Sequence, residues 1–177
     1  MASVEQTLKA RIRQVPDFPK PGILFYDITT LLRDPEGFRL AIDSLAVPYA
    51  AAGIELVVAV ESRGFILGAG VADRLGAGFV PVRKPGKLPA ATERASYALE
   101  YGADSLEMHR DAITPGQRVL VVDDVLATGG TACATVDLVK RLGGTVHAVA
   151  FLIELDFLKG RQKLGGERIH SVVHYAE

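Results

Sequence analysis

The chain has 177 residues, 49% of them hydrophobic and 23% charged, which is typical of one globular domain with a substantial core. A net charge of −1 argues against a general nucleic-acid surface, so no nucleic acid is expected as a partner. The single cysteine, Cys133, excludes an internal disulfide. The N-terminus lacks a signal-peptide pattern and no apolar run reaches membrane-spanning length, so we expect a cytoplasmic protein that binds no membrane.

The hydrophobic pattern alternates between helical and strand periods along the chain. Apolar residues recur at helical spacing from Val4 to Val15, which predicts a helix over residues 3–14 before a stiff, extended stretch over residues 16–22. Asp34-Pro35 is typical of a helix start and predicts a helix to about residue 52. The later segments are predicted in this order: strand 56–60, helix 65–75, strand 79–83, loop 84–96, an exposed hairpin with strands 97–101 and 106–108, strand 118–122, a helix to residue 142, strand 146–155, a short helix 158–164 and strand 169–174.

Alternating apolar strands and helices predict a single α/β domain over residues 1–177, built on a mainly parallel sheet with right-handed crossovers. Two segments do not fit inside such a core: the N-terminal segment, about 1–33, and the loop and hairpin, about 84–109. We expect both above the ligand edge of the sheet, where lids and specificity elements belong.

Residues 119–131 carry the most informative motif. Four apolar residues lead into Asp123 and Asp124, then into a Gly/Thr loop before a helical pattern. In a parallel sheet this places the loop at the ligand edge, where backbone N–H groups, hydroxyls and a helix N-terminus form a phosphate cradle. Ionised carboxylates accept hydrogen bonds only and suit sugar hydroxyls or hydrated Mg²⁺. The motif therefore predicts a ligand such as ribose 5-phosphate.

Three other interpretations of this motif are weaker. An Asp cap with a tight turn leaves two carboxylates at a strand end without a ligand, which is costly. A Walker A loop needs a Lys after the glycines, and none follows Gly129 and Gly130. A dinucleotide fingerprint needs the order G-x-G-x-x-G, which is missing.

Two further segments suggest a second anion site. Glu61-Ser62-Arg63-Gly64 repeats the order of strand, polar turn and helix, and the planar fork of Arg63 favours phosphate oxygens. A surface salt bridge between Arg63 and Glu61 is the structural alternative. Residues 83–89, here called the basic turn, follow the next strand and include Lys87, which could neutralise pyrophosphate or simply be solvated.

The motif at 119–131 resembles the signature of type I phosphoribosyltransferases, and the rest of the chain resembles the adenine-specific members of that family. The resemblance extends over nearly the whole chain, through Asp17-Phe18-Pro19, Phe25-Tyr26-Asp27-Ile28-Thr29, Arg83-Lys84, Ser96-Tyr97-Ala98-Leu99-Glu100-Tyr101-Gly102 and Leu158-Lys159-Gly160-Arg161. It implies a twisted sheet flanked by helices, with a flexible hairpin lid and a small N-terminal base-binding hood. It also implies an unusual, strained non-proline peptide between Glu61 and Arg63.

The resemblance assigns a role to each candidate residue. Glu100, on the hairpin, becomes the catalytic carboxylate that manages the proton on the adenine ring. The ribose ligands are Asp123 and Asp124, and the 5-phosphate is held by the loop Ala127, Thr128, Gly129, Gly130 and Thr131. Pyrophosphate contacts come from Ser62, Arg63, Lys87 and Tyr101. Adenine contacts come from Leu24, Phe25, Tyr26 and Leu155, with Phe25 stacking on the base and backbone groups of Leu24 and Tyr26 bonding its edge.

The implied reaction converts adenine and phosphoribosyl pyrophosphate into AMP and pyrophosphate, with Mg²⁺ held mainly by substrate and water rather than by direct protein ligands. The resemblance also implies a homodimer in which the basic turn can reach the neighbouring subunit's site. The same transfer to hypoxanthine, guanine or xanthine is the nearest alternative. A non-catalytic nucleotide-sensing regulator is another, but it predicts a DNA-binding appendage for which the chain has neither spare length nor a basic surplus.

Overall fold

The computed structural model describes residues 2–98 and 103–176. The predicted catalytic Glu100 and its neighbour Tyr101 therefore lie outside the described residues. In chain order the elements are α1 (Val4–Lys9), β1 (Arg13–Pro16), β2 (Leu24–Asp27), α2 (Thr29–Leu32), α3 (Pro35–Ala46), a 3₁₀ turn (Val47–Tyr49), β3 (Leu56–Val60), α4 (Arg63–Leu75), β4 (Gly78–Val82), β5 (Thr92–Ala98), β6 (Ala103–His109), β7 (Arg118–Leu126), α5 (Gly130–Arg141), β8 (Thr145–Leu155), two 3₁₀ turns (Asp156–Leu158 and Gly160–Leu164) and β9 (Ile169–Tyr175).

The central sheet has five strands in the order β4-β3-β7-β8-β9, and every neighbouring pair is parallel. This confirms the predicted α/β class. Strand β7 is longer than predicted, because Val125 and Leu126 continue to pair with β8. Asp123 and Asp124 consequently lie within the strand rather than in the loop that follows it.

Both faces of the sheet are buried, which explains the continuous apolar runs in the sequence. Successive residues of one strand enter opposite cores: Leu120 packs on the side of α3 and α4, and Val121 packs on the side of α5. Helix α3 begins as predicted, because the Asp34 carboxylate accepts hydrogen bonds from the N–H groups of Glu36 and Gly37. Within the described part of the chain, no helix combines the length and apolarity needed to cross a membrane.

The N-terminal prediction is wrong in its second half. Helix α1 ends at Lys9, and Arg13–Pro16 instead forms an antiparallel hairpin with Leu24–Asp27. The stretch 16–22, predicted to be extended, is the connection between these two strands and contains a turn. The pairing is reinforced by an ion pair between Arg13 and Asp27, a contact that helical spacing alone cannot reveal.

The second hairpin is confirmed, although its first strand starts at Thr92, inside the predicted loop. The described stem packs against α5, where the Arg141 guanidinium donates to the carbonyl of Arg94 at 3.1 Å. A Cβ on Gly130 would lie 2.9 Å from the Tyr97 ring, so this glycine lets the stem lie close to the start of α5. The hairpin stem is thus fixed beside the predicted phosphate site.

Candidate active site

A cavity of about 620 Å³ opens at the carboxyl ends of β3 and β7, beneath the β1–β2 hairpin. Its volume lies in the range of small-molecule sites. Among its lining residues are thirteen that the sequence predicted: Leu24, Phe25, Tyr26, Ser62, Arg63, Asp123, Asp124, Ala127, Thr128, Gly129, Gly130, Thr131 and Leu155. Lys87 is not in the lining, and Glu100 and Tyr101 lie outside the described residues.

The two aspartates form the charged centre of the cavity. Burial, followed by the adjacent Asp124 carboxylate, raises the pKa of Asp123 well above its usual value. The Asp124 Oδ2 atom is buried, and within the described part of the chain it accepts no hydrogen bond. An acceptor of this kind is expected to bind a donor from a ligand, such as a sugar hydroxyl or metal-bound water.

Arg63 connects the aspartate pair with the Phe25 ring in the cavity. Its Nε atom lies 2.5 Å from Asp124 Oδ2, an ion pair whose orientation does not satisfy hydrogen-bond geometry. Its guanidinium carbon also lies 5.2 Å from the centroid of the Phe25 ring. The surface pair with Glu61, the structural alternative for Arg63, is not formed, because Glu61 contacts the basic turn instead.

The predicted phosphate loop, residues 127–131, depends on the glycine at its helix start. Gly129 has a φ of +82°, and a Cβ at this position would lie 2.6 Å from the carbonyl oxygen of Gly160. Glycine meets both requirements, because it adopts positive φ readily and has no side chain. Helix α5 begins directly after it, so the N-terminal N–H groups of this helix face the loop. The side chain of Thr128 is exposed and lines the cavity.

Glu61 and Ser62, and the peptide that joins them, also line the cavity. The bond between Glu61 and Ser62 is a cis peptide, at the place where the resemblance implied an unusual non-proline bond. Ser62 is exposed at the cavity and precedes the first residue of α4.

Glu61, which sequence analysis considered only as an alternative partner for Arg63, binds the basic turn. Burial opposes ionisation, yet the N–H of Lys84 and the cations of Arg83 and Lys87 hold the pKa of Glu61 below its usual value. The Lys87 Nζ atom lies 3.2 Å from Glu61 Oε1, and Arg83 Nε lies 2.9 Å from Glu61 Oε2. Lys87 therefore does not line the cavity itself, but it contacts Glu61, which does.

The hood supplies the apolar end of the cavity. Phe25 is half-buried and makes an edge contact with Phe18, with 5.1 Å between ring centroids. The Tyr26 side chain is buried and stacks on Tyr175 at 3.8 Å, so its ring belongs to the packing of the hood. Sequence analysis missed several apolar lining residues that have no polar motif to mark them: Ile23, Val60, Val125, Leu126, Ala132 and Leu158.

One acidic cluster lies outside the residues that line the cavity. Glu154, Asp156 and His174 place ligand atoms within 4.8 Å of one another, a grouping that the spacing of the histidines did not predict. The Glu154 carboxylate already accepts two bonds from the Arg161 guanidinium and one from Ser171. Glu154 is therefore a buried carboxylate whose oxygens already accept from Ser171 and from the partly exposed Arg161 guanidinium.

Comparison with known proteins identifies the family. The family model of the phosphoribosyl transferase domain matches residues 36–172. An adenine phosphoribosyltransferase of Acidobacterium capsulatum is 60% identical over 172 residues, which cover 97% of this chain and 95% of that protein. The chain belongs to the adenine phosphoribosyltransferase family.

Solved structures of adenine phosphoribosyltransferases share the fold. The enzyme from Thermoanaerobacter pseudethanolicus superposes with a TM-score of 0.94 at 53% identity, over 98% of this chain and 100% of that one. The Saccharomyces cerevisiae enzyme, complexed with adenine and an imino-altritol bisphosphate, superposes with a TM-score of 0.91 at 43% identity, over 97% and 99% of the two chains. Membership in the family confirms the fold class predicted from the sequence.

Proposed function

We propose that the chain transfers the phosphoribosyl group of phosphoribosyl pyrophosphate to adenine in purine salvage, giving AMP and pyrophosphate. Family membership supports this activity. The observation that carries it is that one 620 Å³ cavity joins two carboxylates, a glycine-rich helix start and an aromatic hood. These three regions match the ribose, the phosphate and the base of a nucleotide.

We assign the 5-phosphate to the N–H groups and hydroxyls of residues 127–131, and the ribose hydroxyls to Asp123 and Asp124. Adenine lies against Phe25, with Leu155 on its other face and backbone groups of Leu24 and Tyr26 at its edge. A backbone carbonyl at that edge accepts from the exocyclic amine of adenine and disfavours a six-keto oxygen, which leaves the carbonyl unpaired.

Pyrophosphate departs from the anomeric carbon through an oxocarbenium-like state, so its growing negative charge needs cations. Ser62, Arg63, Lys87 and Tyr101 are assigned to that end of the substrate. Because Arg63 pairs with Asp124 and covers Phe25, binding of substrate exchanges this internal contact for contacts with pyrophosphate, ribose and base. Glu100, which the sequence predicts on the hairpin, is assigned to the proton of adenine, and closure of a hairpin over the site would exclude water.

The residues present fit Mg²⁺. Two adjacent carboxylates line the cavity, and Asp124 Oδ2 is a buried oxygen without a hydrogen-bond donor in the described part of the chain. Mg²⁺ keeps several waters and binds through phosphates and one or two carboxylates. Asp123 and Asp124 would hold the ion through its water ligands, and the bound ion would neutralise charge on the departing pyrophosphate.

We also propose that the protein is cytoplasmic and forms a homodimer. Ile66 on α4 and Phe79 on the edge strand β4 are large apolar side chains that are 45% and 37% exposed. They lie on neighbouring elements, and exposed apolar surface of this kind supports an interface between copies of the chain.

A steady-state assay of pyrophosphate release with adenine, hypoxanthine, guanine and xanthine tests the proposed function. We expect release with adenine that depends on phosphoribosyl pyrophosphate and Mg²⁺, together with formation of AMP. Release with hypoxanthine, guanine or xanthine but not with adenine would overturn the assignment. No release with any of the four bases would favour a nucleotide-sensing protein.

A further inference from the structure

Glu107 is a buried carboxylate on β6, outside the cavity, that none of the proposed steps uses. Its residue is 4% exposed, although it is charged and close to the protein surface. Hydrogen bonds from Arg94, and then from the N–H of Gly86, hold its pKa below the usual value of a glutamate. A buried charge needs this kind of full pairing to be tolerated.

The contacts of Glu107 converge on the basic turn, residues 83–89. Glu107 Oε2 accepts a hydrogen bond of 3.0 Å from the N–H of Gly86, the residue before Lys87. The backbones of Glu107 and Arg83 exchange two further hydrogen bonds, of 3.0 and 2.7 Å. The turn is therefore attached to β6 both at its start and beside Lys87.

Arg94 holds the other oxygen of the same carboxylate. Its Nε and Nη2 atoms donate to Glu107 Oε1 at 2.9 and 2.6 Å, from the neighbouring strand β5. Arg94 thus balances the charge of Glu107 and fixes its orientation, so that Oε2 points to the basic turn. Both oxygens of a carboxylate accept hydrogen bonds, so Glu107 can accept from Arg94 and from Gly86 at the same time. An amide has only one accepting oxygen and could accept from only one of these two donors.

The opposite side of the turn is held by Glu61, whose carboxylate accepts from the N–H of Lys84 at 2.8 Å and contacts the Lys87 ammonium. The two glutamates act differently, because Glu61 pairs with the cations of the turn as well as with the N–H of Lys84, whereas Glu107 bonds to the backbone beside Lys87. When an anion draws the Lys87 ammonium away from Glu61, the bond from Gly86 to Glu107 still fixes the backbone next to Lys87.

We propose that Glu107 is a positioning residue for the pyrophosphate end of the reaction, which acts by fixing the backbone of the basic turn and with it the direction of Lys87. The inference rests on the proposed function, in which Lys87 contacts pyrophosphate. A small displacement of a positioning group can lower activity greatly without any loss of the group itself.

Glu107→Gln tests the inference, with Glu93→Gln as the matched control. Glu93 lies on the same hairpin and faces Arg110 and Arg141 rather than the basic turn. The amide of Glu107→Gln presents an N–H₂ group either to Gly86 N–H or to Arg94. We expect KM for phosphoribosyl pyrophosphate to rise about tenfold, while KM for adenine stays near wild type. Equal changes in both KM values, or a KM change as large in Glu93→Gln, would overturn the proposal.

A double variant separates action through Lys87 from general loosening of the hairpin. Lys87→Ala removes the cation that Glu107 is proposed to direct, so adding Glu107→Gln to it should raise KM for phosphoribosyl pyrophosphate no further. A full additional increase in the double variant would show that Glu107 acts elsewhere, and would contradict the proposal.

Two controls keep the result interpretable. If Glu107→Gln does not fold, Arg94→Met removes the half-exposed guanidinium that orients Glu107, and the same selective rise in KM is expected, to a smaller extent. An unchanged KM in a folded Arg94→Met variant would overturn the inference. Failure of the proposed function is seen separately, as a wild-type protein that releases no pyrophosphate from adenine and phosphoribosyl pyrophosphate.

Discussion

At the scale of single residues, the site contains two neighbouring carboxylates. Their burial and mutual repulsion are unfavourable for the fold, but their oxygens can bind a ligand. Asp123 and Asp124 place two carboxylates side by side in a cavity, and burial with this neighbour raises the pKa of Asp123. Arg63 offsets part of the charge by pairing with Asp124. Binding sites often retain such unfavourable charge because the ligand, not the fold, completes the pairing.

The raised pKa of Asp123 gives a pH-dependent prediction for the unliganded protein. Below about pH 4 the carboxyl is protonated in both the folded and the unfolded chain, so the stability that it contributes is fully present. As pH rises, the unfolded chain loses its proton first and the wild type loses stability. Asp123→Asn should therefore gain stability relative to wild type as the pH rises to 8, and almost nothing at pH 4.

Thermal unfolding from pH 4 to pH 8 measures this difference. Asp111→Asn is the control, because Asp111 is an exposed carboxylate in the turn after β6. Its Tm gives the reference for the loss of one exposed carboxylate. A Tm difference from wild type that does not change with pH for Asp123→Asn would show that Asp123 ionises normally in the folded protein.

Glu100→Gln tests the residue assigned to the proton of adenine. An amide cannot accept or return that proton, so kcat should fall by about a hundredfold or more, while binding of phosphoribosyl pyrophosphate persists. Stopped-flow or quenched assays of AMP formation give kcat, and calorimetric titration gives the affinity. Unchanged turnover would remove Glu100 from the mechanism.

At the scale of elements, the phosphate loop depends on a close approach between two backbone segments. Gly129→Ala adds strain at a φ of +82° and a contact of 2.6 Å with the carbonyl of Gly160. We expect kcat/KM for phosphoribosyl pyrophosphate to fall by about a hundredfold, since loss of aligned donors costs about 2.7–4 kcal/mol. The Tm should also fall, as measured by calorimetry.

Gly116→Ala provides a matched control for backbone strain. Gly116 has a φ of +91°, and a Cβ there would meet no atom within 4 Å. This variant should lose about 1 kcal/mol of stability and keep its kcat/KM. If both variants lost activity equally, the approach of Gly160 to Gly129 would have no special role in the site.

The elements also show which parts of the fold the sequence could predict. Strands β3 and β7 and helix α4 were predicted because buried runs and helical spacing are local signals. The hairpin of β1 and β2 was missed, since its pairing and its Arg13–Asp27 contact join residues that are distant in the sequence. Strand β7 extends past Asp123 for the same reason, because its register is set by β8.

The site shows the same division between local and long-range information. Asp123, Asp124 and the phosphate loop could be found from one continuous motif. The apolar lining residue Leu158 could not, because it resembles ordinary packing in the sequence. The partner of Arg63 was also not predictable, since Arg63 begins α4 and Asp124 approaches it from β7, which is distant in the sequence.

At the scale of the whole molecule, the proposed homodimer is expected to use the face that includes Ile66 and Phe79. Ile66→Arg places a charge on α4 and should shift the mass in analytical ultracentrifugation from twice the 18.9 kDa chain mass to a single chain. Val47→Arg is the control, because Val47 is a 61% exposed apolar side chain outside this face. A dimeric Ile66→Arg variant, or a monomeric wild type, would contradict the proposal.

The central claim is that one cavity binds all three parts of a nucleotide. A crystal structure of the protein with AMP tests it most directly. We expect the phosphate on the N–H groups of residues 127–131, the ribose hydroxyls at Asp123 and Asp124, and the base against Phe25 in place of the Arg63 guanidinium. Base density away from Phe25, or phosphate away from the start of α5, would contradict the account.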